Sequence, residues 1–226
     1  MSRPKGLGAG LRAVAPEDGS PQLRVVHADP NRGLDVRCVM LREPRSPQAR
    51  SFRFLRHQLL CQSDPRIVVV TSALNGEGKT TCAVNLALCI AEETLSDVLL
   101  LEANPGRPSL AQVFGLPGDA QTRHDRVLVP AGSRLHVGSA SGCAAPSGGL
   151  DRLLLQVALR ELRQVYDYVI VDTASVLESA DADVACESAD GVVVAARAAT
   201  SRRSSLQRAV EQLRPAVISG IVLLDA

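Results

Sequence analysis

The sequence predicts an α/β fold in which a mostly parallel sheet is covered by helices on both faces. Short apolar runs alternate with helical stretches over residues 66–224, and this alternation is typical of parallel strands joined by crossover helices. Aromatic residues make up only 2% of the chain and Trp is absent. The core must therefore be built from aliphatic side chains, which suit strands that are buried on both faces. The 226 residues, 46% of them hydrophobic, are enough for one well-packed domain.

The chain is expected to begin with a flexible segment over residues 1–45. This segment is rich in Arg, Gly and Pro, and its prolines interrupt any long helical period. Within it, residues 22–27 are compatible with a short strand. The pattern then changes, because apolar residues recur at helical spacing after Pro47. A single folded domain is therefore predicted over residues 46–226.

The alternating units that follow predict further helices and strands. The strands are expected over residues 66–71, 97–102, 135–137, 168–172, 191–196 and 220–224. The helices are expected over residues 78–93, 151–165, 179–188 and 201–214. Residues 115–149 contain many glycines and are expected to form mostly loop, with two short strands.

Composition and charge exclude several functional classes. The formal net charge is +1 and stacking aromatics are scarce, so no nucleic acid is expected as a partner. The six cysteines include no Cys-x-x-Cys pair, and no His stands at metal-ligand spacing, so reduced thiols are expected. No signal peptide is visible, and no apolar run approaches the ~20 residues of a membrane helix. A cytoplasmic location is therefore expected.

A phosphate-binding loop is predicted over residues 73–80, which read Ala-Leu-Asn-Gly-Glu-Gly-Lys-Thr. The loop follows a β-branched strand and opens an Ala/Leu-rich helix, which is the context that such a loop requires. Its small residues let backbone N–H groups surround an anion at the helix N-terminus. Lys79 would meet the β- and γ-phosphates of a nucleoside triphosphate, and the Thr80 hydroxyl would ligate Mg²⁺. Ala73 replaces the usual first glycine and fits if its φ stays negative.

Two strand-end carboxylates are predicted to complete a metal site. Asp172 ends an apolar strand, and the carboxyl ends of parallel strands face the same crevice as the loop; the alternative is a solvent-exposed strand end. Glu102 ends the neighbouring strand, where it could polarise a nucleophile or a metal-bound water, and Arg107 could neutralise phosphate charge. For these two residues the alternative is a polar turn without a function.

These residues resemble a known family, the bacterial tyrosine kinases, whose ATPase domain is related to the MinD and ParA partitioning ATPases. Residues 71–80 match the family's first loop, Thr-Ser-x-x-Pro-Gly-Glu-Gly-Lys-[Ser/Thr], in all but the Pro. Further matches are the Arg-Pro-Ser-Leu block at 107–110, the Tyr-Asp-Tyr-Val-Ile-Val-Asp-Thr run at 166–173 and the Ala-Asp-Gly-Val-Val run at 189–193. The resemblance covers residues 46–226 and implies a three-layer P-loop NTPase fold. Leu74 replaces the signature Lys of the partitioning branch and favours the kinase branch.

The residues and the resemblance together imply that the chain binds ATP and Mg²⁺. The implied nucleotide-binding residues are Ala73, Asn75, Gly76, Glu77, Gly78, Lys79, Thr80, Thr81 and Arg107. The implied metal ligands are Thr80, Glu102 and Asp172. The implied catalytic residues are Lys79, Glu102 and Asp172. The resemblance also implies two partners, a membrane-spanning chain-length activator (co-polymerase) of polysaccharide synthesis and a tyrosine-containing protein substrate; the first would hold the chain peripherally at the inner face of the plasma membrane.

Four departures from the family bear on catalysis and assembly. The family's strand-end Asp-x-Asp motif reads Glu102-Ala103-Asn104 here, and Asn104 cannot act as a base. Arg50 replaces the Glu of the helix motif that joins subunits into a ring, which argues against that ring; another homo-oligomer stays open. The two tyrosines of the sequence are Tyr166 and Tyr168, so autophosphorylation of a tyrosine-rich tail is not expected, and Leu224 stands where the family tends to place an Asn beside the base.

Three hypotheses of function follow. The leading one is a protein-tyrosine-kinase-like ATPase of capsular or exopolysaccharide synthesis or export that transfers a phosphoryl group to a partner. The second is a catalytically weakened, nucleotide-dependent adaptor of a polysaccharide co-polymerase, motivated by Asn104 and Arg50. The third is a partitioning ATPase of the MinD/ParA type. A metabolic enzyme on the same scaffold also stays open, because a fold does not fix a function.

Overall fold

The computed structural model of the chain describes residues 24–27, 35–62, 64–93, 96–115, 125–128, 134–146 and 148–225. Its strands are β1 Arg24–His27, β2 Ile67–Ser72, β3 Val98–Ala103, β4 Asp125–Leu128, β5 Leu135–Ser139, β6 Tyr168–Thr173, β7 Gly191–Arg197 and β8 Ile218–Leu224. Its helices are α1 Val39–Arg42, α2 Pro47–Gln62, α3 Lys79–Glu93, α4 Leu110–Val113, α5 Arg152–Val165, α6 Asp181–Cys186 and α7 Arg203–Gln212. A short 3₁₀ turn spans Ser141–Cys143.

A six-stranded sheet in which every neighbouring pair is parallel forms the centre of the described structure. Its strand order is β5-β3-β6-β2-β7-β8. The strands β1 and β4 form a separate parallel pair, and β1 lies within the residues 22–27 that are compatible with a strand. The loop that follows β2 therefore emerges from the middle of the main sheet.

Alternate residues of each strand pack against two different layers of helices. Val68 and Val70 belong to a core shared with α1, α2, α3 and α4. Val69 and Val171 face the opposite core, which contains buried residues of α5, α6 and α7. Because both faces are covered, the strands are apolar throughout rather than alternating in polarity. The predicted three-layer α/β fold is confirmed.

The boundaries predicted from the sequence agree with the structure to within two residues at each end, which is the usual uncertainty of helix and strand ends. Local signals explain part of this agreement: at the start of α5, the Asp151 carboxylate accepts a hydrogen bond from the Leu154 N–H at 3.0 Å and caps the helix. The two short strands expected within residues 115–149 are β4 and β5. The rest of that loop prediction falls partly outside the described residues.

The segment before α2 packs onto α3. Cys38 and Met40 lie in the core at 0% and 4% exposure. The fully buried Asn85 side chain holds this segment in place, because its amide donates to the Arg37 carbonyl at 2.6 Å and its oxygen accepts from the Met40 N–H at 2.9 Å. Packing of these residues overrides the local Pro and Arg composition that predicted flexibility. A domain boundary at residue 46 stays a prediction, and residues 1–23 and 28–34 lie outside the described structure.

We expect the substitution Asn85→Ala to destabilise the protein. It removes the bonds to Arg37 and Met40 and leaves a buried N–H without an acceptor, which costs on the order of 2 kcal/mol and lowers the Tm by about 4–8 °C in a domain of this size. Thermal unfolding followed by circular dichroism measures the shift. The exposed α7 residue Gln207, changed to Ala, is the control; equal melting of the two variants would show that the Asn85 bonds do not fasten the segment.

Candidate functional site

Two glycines shape the loop between β2 and α3. Gly76 and Gly78 have φ values of 82° and 91°, a left-handed conformation that residues with a side chain rarely adopt. A Cβ atom at Gly78 would also collide with the side chain of Leu224. Among the described non-glycine residues only Asp64 has a positive φ. The φ of Ala73 is therefore negative, as its position at the start of the loop requires.

Carboxylates from the loop itself and from its neighbours fix the loop backbone. Glu77 accepts from the Leu74 N–H at 2.8 Å and from the Ser201 hydroxyl at 2.5 Å. The Asn75 N–H donates to the Glu178 carboxylate at 2.6 Å. Ser201 follows β7 and Glu178 follows β6, so the loop is fastened to the segments at the carboxyl ends of both adjacent strands.

Lys79 is held over the loop by a short hydrogen-bond chain. Its side chain is buried at 7% exposure, and its ammonium donates to the Asn75 side-chain oxygen at 3.1 Å. The same oxygen accepts from the Ser175 hydroxyl at 3.0 Å. The ammonium therefore lies beside the loop, where a phosphate could replace Asn75 as its partner.

The register of the sheet brings Glu102 and Asp172 together. The two residues are direct partners across β3 and β6, and they are buried at 6% and 1% exposure. The Thr80 hydroxyl donates to one Asp172 oxygen at 2.8 Å and lies 3.3 Å from the Ser109 hydroxyl. The alternative of a solvent-exposed strand end for Asp172 is therefore excluded.

Each carboxylate keeps one oxygen without a partner. The Glu102 Oε2 atom accepts from the Ser109 and Leu110 N–H groups, at 2.6 and 2.7 Å, where α4 begins. The Glu102 Oε1 and Asp172 Oδ1 atoms are buried and have no hydrogen-bond partner within the described structure. A buried carboxylate oxygen without a partner is costly and suits a cation.

Burial shifts the pKa values of both carboxyl groups upward, and the charge of Glu102 adds to the shift of Asp172. Burial first, and then the negative charge of Glu102, raises the pKa of Asp172 to about 8, against the opposing effects of the Thr80 hydrogen bond and the Lys79 charge. Burial also raises the pKa of Glu102, opposed by the two N–H bonds from α4 and by Lys79. The pair therefore carries its full negative charge only where a positive partner compensates it.

The donor set fits Mg²⁺ bound together with a nucleotide. Two carboxylate oxygens and one hydroxyl converge here, and Mg²⁺ in phosphate sites takes few protein ligands and completes its shell with phosphate oxygens and water. In the part of the chain that the structure describes, no group of three or more His, Cys, Asp or Glu side chains could form a metal site of protein ligands alone. A cation here would depend on the nucleotide for its remaining ligands.

Arg37 is a contributor that sequence reasoning missed. Its positive charge lowers the pKa of both Glu102 and Asp172, and Asp35 holds its guanidinium through two hydrogen bonds of 2.8 Å. No motif surrounds Arg37, and the Gly, Pro and Arg composition of residues 1–45 predicts flexibility there, so no local signal points to it. Only the packing of residues 35–42 on α3 brings it near the carboxylates.

Thr81, Asn104 and Arg107, the other residues singled out from the sequence, differ in burial and in their hydrogen bonds. Thr81 lies in the first turn of α3, where its carbonyl accepts from the Asn85 amide at 2.7 Å. Asn104 is buried at 9% exposure and its carbonyl accepts from the Arg107 N–H at 3.1 Å. Arg107 is exposed, and no hydrogen bond within the described residues joins its guanidinium to the loop. Its role in phosphate binding stays a prediction.

We expect the substitution Asp172→Asn to raise the Tm of the nucleotide-free protein. A carboxyl group whose pKa is higher in the folded than in the unfolded state destabilises the fold increasingly as the pH rises above the unfolded value, up to about pH 8. Removing its charge should therefore stabilise the fold most above pH 8 and least near pH 4. About 1 kcal/mol corresponds to a gain of roughly 2–4 °C. Melting curves at several pH values measure the gain.

The exposed carboxylate Asp225, changed to Asn, is the matched control and should leave the Tm unchanged. A lower Tm for Asp172→Asn at pH 8 would mean that the carboxylate pair stabilises the fold and would contradict the charge repulsion described above.

Comparisons with known proteins show which proteins the chain resembles. No protein-family model matches the chain. The chain is 28% identical over 199 residues to the tyrosine-protein kinase YwqD of Bacillus subtilis, covering 81% of this chain and 83% of that protein. It is 29% identical over 171 residues to the succinoglycan biosynthesis transport protein ExoP of Rhizobium meliloti, covering 69% of this chain but only 22% of ExoP.

Solved structures show the same fold. The kinase domain of the Escherichia coli tyrosine kinase ETK superposes with a TM-score of 0.70 at 21% identity, covering 83% of this chain and 79% of that domain. MinD of Aquifex aeolicus superposes with a TM-score of 0.52 at 20% identity, covering 71% of this chain and 68% of MinD. The predicted P-loop NTPase fold is thereby confirmed. The resemblance predicted from the sequence is confirmed as well: the chain is similar in sequence to tyrosine-protein kinases of bacteria and similar in fold to MinD.

Proposed function

We propose that the chain is a Mg²⁺-dependent, nucleoside-triphosphate-binding kinase-like ATPase that works with a partner in capsular or exopolysaccharide synthesis or export. The observation that carries the proposal is the contact between Thr80 of the loop and Asp172 of β6, next to Glu102 and Lys79. The loop backbone, the Lys79 ammonium and two carboxylates lie around one point, which supports the binding of a triphosphate together with Mg²⁺.

The loop residues would bind the phosphates. Backbone N–H groups of residues 76–80 lie at the N-terminus of α3, where the helix dipole favours an anion. Lys79 would exchange its bond to Asn75 for the β- and γ-phosphates, and Asn75 would retain the Ser175 hydroxyl. Because Lys79 is already buried, little side-chain ordering is needed for this exchange.

The carboxylate pair would hold Mg²⁺ and orient the nucleophile. Thr80 and the free Asp172 Oδ1 atom are the proposed metal ligands, with Glu102 Oε1 as a third. Mg²⁺ held by these residues would neutralise charge on the transferred phosphoryl group. Glu102 would also accept a hydrogen bond from the attacking hydroxyl or water, although its second oxygen is committed to the α4 N-terminus.

The phosphoryl acceptor is proposed to come from another protein. Tyr166 is buried at 2% exposure and its hydroxyl lies 3.1 Å from the His136 ring. The Tyr168 hydroxyl donates to Asp64 at 2.9 Å. These are the only two tyrosines of the chain, and both flank or begin β6, so neither can enter the crevice without disrupting the sheet.

A membrane-spanning co-polymerase is the proposed partner, by analogy with the kinase relatives and with ExoP. No helix in the described residues is long and apolar enough to cross a bilayer.

The arginines of α2 that the family uses between subunits are engaged within the chain here: Arg53 binds Glu92 at 2.8 Å and Arg56 donates to the Cys89 carbonyl at 3.1 Å. Together with exposed Arg50, this argues against the family's ring.

A nucleotide-dependent adaptor is the second candidate. Asn104 occupies the place of the second strand-end carboxylate, and Glu102 offers only one free oxygen for both metal and nucleophile. Moving a catalytic carboxylate by about 1 Å can reduce a rate by ~10²-fold. Such a protein would still bind the nucleotide and signal its presence to the partner.

We expect the substitution Lys79→Ala to abolish phosphoryl transfer. The purified protein is incubated with γ-labelled ATP, Mg²⁺ and a tyrosine-containing acceptor, and label is counted in the acceptor and as free phosphate. Lys5→Ala is the matched control, because Lys5 and Lys79 are the only lysines of the chain, and it should retain full activity.

Each outcome assigns the function. Acceptor label that disappears with Lys79→Ala establishes a kinase acting in trans. Free phosphate alone identifies an ATPase whose acceptor is water. Bound nucleotide with no turnover favours the adaptor, and turnover that survives Lys79→Ala would contradict the proposed site.

A further inference from the structure

The second half of α2 carries a pair of metal-ligating side chains that the proposed nucleotide site does not use. His57 and Cys61 lie four residues apart in this helix, and both are exposed. The Cys61 Sγ atom lies 3.5 Å from the His57 Nδ1 atom and 3.8 Å from Nε2. The expectation that no His stands at a metal-ligand spacing does not hold for this pair, because a helix brings residues four apart onto one face.

Cys61 differs from the other cysteines in its exposure. All six cysteines lie within the described residues, and the other five are buried: Cys38, Cys82, Cys89, Cys143 and Cys186. Burial raises the pKa of both Cys82 and Cys186 to about 12, so these thiols keep their protons and are poor metal ligands. Cys61 is the thiol that an ion in solution can reach, and an imidazole lies beside it.

The separation of the two ligand atoms fits one edge of a tetrahedral zinc site. Zinc lies about 2.3 Å from a thiolate and about 2.0–2.1 Å from an imidazole nitrogen, and the tetrahedral angle between them sets the two ligand atoms about 3.5 Å apart. The distance from Sγ to Nδ1 is 3.5 Å. Because the His57 ring is exposed, it can rotate to turn a nitrogen lone pair toward a shared ion. Thiolate and imidazole suit Zn²⁺, whereas Mg²⁺ prefers oxygen ligands.

The arginines of α2 place little positive charge at this pair. Arg53 forms an ion pair with Glu92 of α3. Arg56 donates to the carbonyl of Cys89, also in α3. Arg50 lies two turns earlier in the helix, about 10 Å along its axis from the pair, where salt screens its charge. These three guanidinium groups therefore do not prevent a divalent cation from binding.

One copy of the chain supplies only half of the ligands that zinc requires. In the described residues no third His, Cys, Asp or Glu side chain joins the pair in a group that could hold a metal, and a structural zinc ion takes four ligands. A second copy related by a two-fold axis presents the same pair, because an isologous interface uses one surface twice. Phe54 lies on the same helix face, about one turn before His57, and its 65% exposure leaves it free to be covered in such a contact.

We propose that His57 and Cys61 of two copies share one Zn²⁺ and that this ion joins the chain into a dimer. The four ligands are two thiolates and two imidazoles, and each Cys61 thiol releases its proton to solvent as the ion binds. The contact differs from the family's ring, because a metal ion rather than arginine side chains holds the copies together. It does not require a bound nucleotide, so this inference and the proposed function can fail separately.

Sedimentation velocity of the full chain tests the shared ion. The protein is freed of metal with EDTA, transferred to buffer with a phosphine reductant so that no disulfide forms, and titrated with Zn²⁺. An excess of Mg²⁺ is present throughout to occupy oxygen-ligand sites. We expect the sedimenting mass to double, with saturation at one Zn²⁺ per two chains, and to return to the monomer value when EDTA is added. Mg²⁺ alone should leave a monomer.

Substitutions within the pair identify the ligands. Cys61→Ser and His57→Gln should each abolish the zinc-induced dimer. Cys61→His should retain it, because two His four residues apart on a helix also bind zinc. The exposed α5 residue Gln164, changed to Ala, is the control and should dimerise like the unmutated chain. Co²⁺ used in place of Zn²⁺ gives a second readout, since the visible absorption of thiolate-bound tetrahedral cobalt should disappear in Cys61→Ser.

The outcomes decide the proposal without reference to nucleotide binding. A dimer that is lost in Cys61→Ser and His57→Gln but kept in Cys61→His supports it. A monomer throughout the titration, one ion per chain without association, or association only at a large molar excess of Zn²⁺ would overturn it. Association that persists in both Cys61→Ser and His57→Gln would place the ion elsewhere and overturn it as well. Both residues are exposed, so the variants should fold, and circular dichroism checks that they do.

Discussion

The in-register pairing of β3 with β6 is the constraint on which the rest of the site depends. It sets Glu102 beside Asp172 in the interior, where two like charges raise each other's free energy. Neighbouring groups partly compensate the two negative charges. Thr80 donates a hydrogen bond to Asp172, backbone N–H groups at the start of α4 donate to Glu102, and Lys79 and Arg37 supply positive charge. The pair remains under-compensated, with one oxygen on each carboxylate unbound. A buried pair of this kind is a candidate for a site that a cation and a ligand would complete.

The loop is coupled directly to the segments that follow the neighbouring strands. Glu77 is tied to Ser201 after β7, and Asn75 is tied to Ser175 and Glu178 after β6. A phosphate that takes Lys79 away from Asn75 would alter the balance of these bonds. A change at the loop can thus reach two surface segments without any movement of the sheet. This coupling suits either a kinase or an adaptor, because both must report the bound nucleotide to a partner.

Most of the fold, and the positions of several residues of the candidate site, were predictable from the sequence. The glycine loop, Lys79, Thr80 and the strand-end Asp172 follow local rules, since each is fixed by its position relative to a strand or helix end. Arg37, Ser175 and Ser201 could not be found in this way, because tertiary packing alone brings them to the loop. The same limit applies to Glu102: its position was predicted, but the use of one oxygen to cap α4 depends on the path of the chain through residues 104–110.

Amide hydrogen exchange of residues 76–82 tests most directly whether the loop and the carboxylate pair form one cation-dependent nucleotide site. Exchange is followed by mass spectrometry with nucleotide alone, Mg²⁺ alone and both together. We expect strong protection of these amides only when both are present, since the carboxylates require the cation and the cation requires phosphate ligands. Equal protection without Mg²⁺, or unchanged exchange at saturating nucleotide and Mg²⁺, would contradict it.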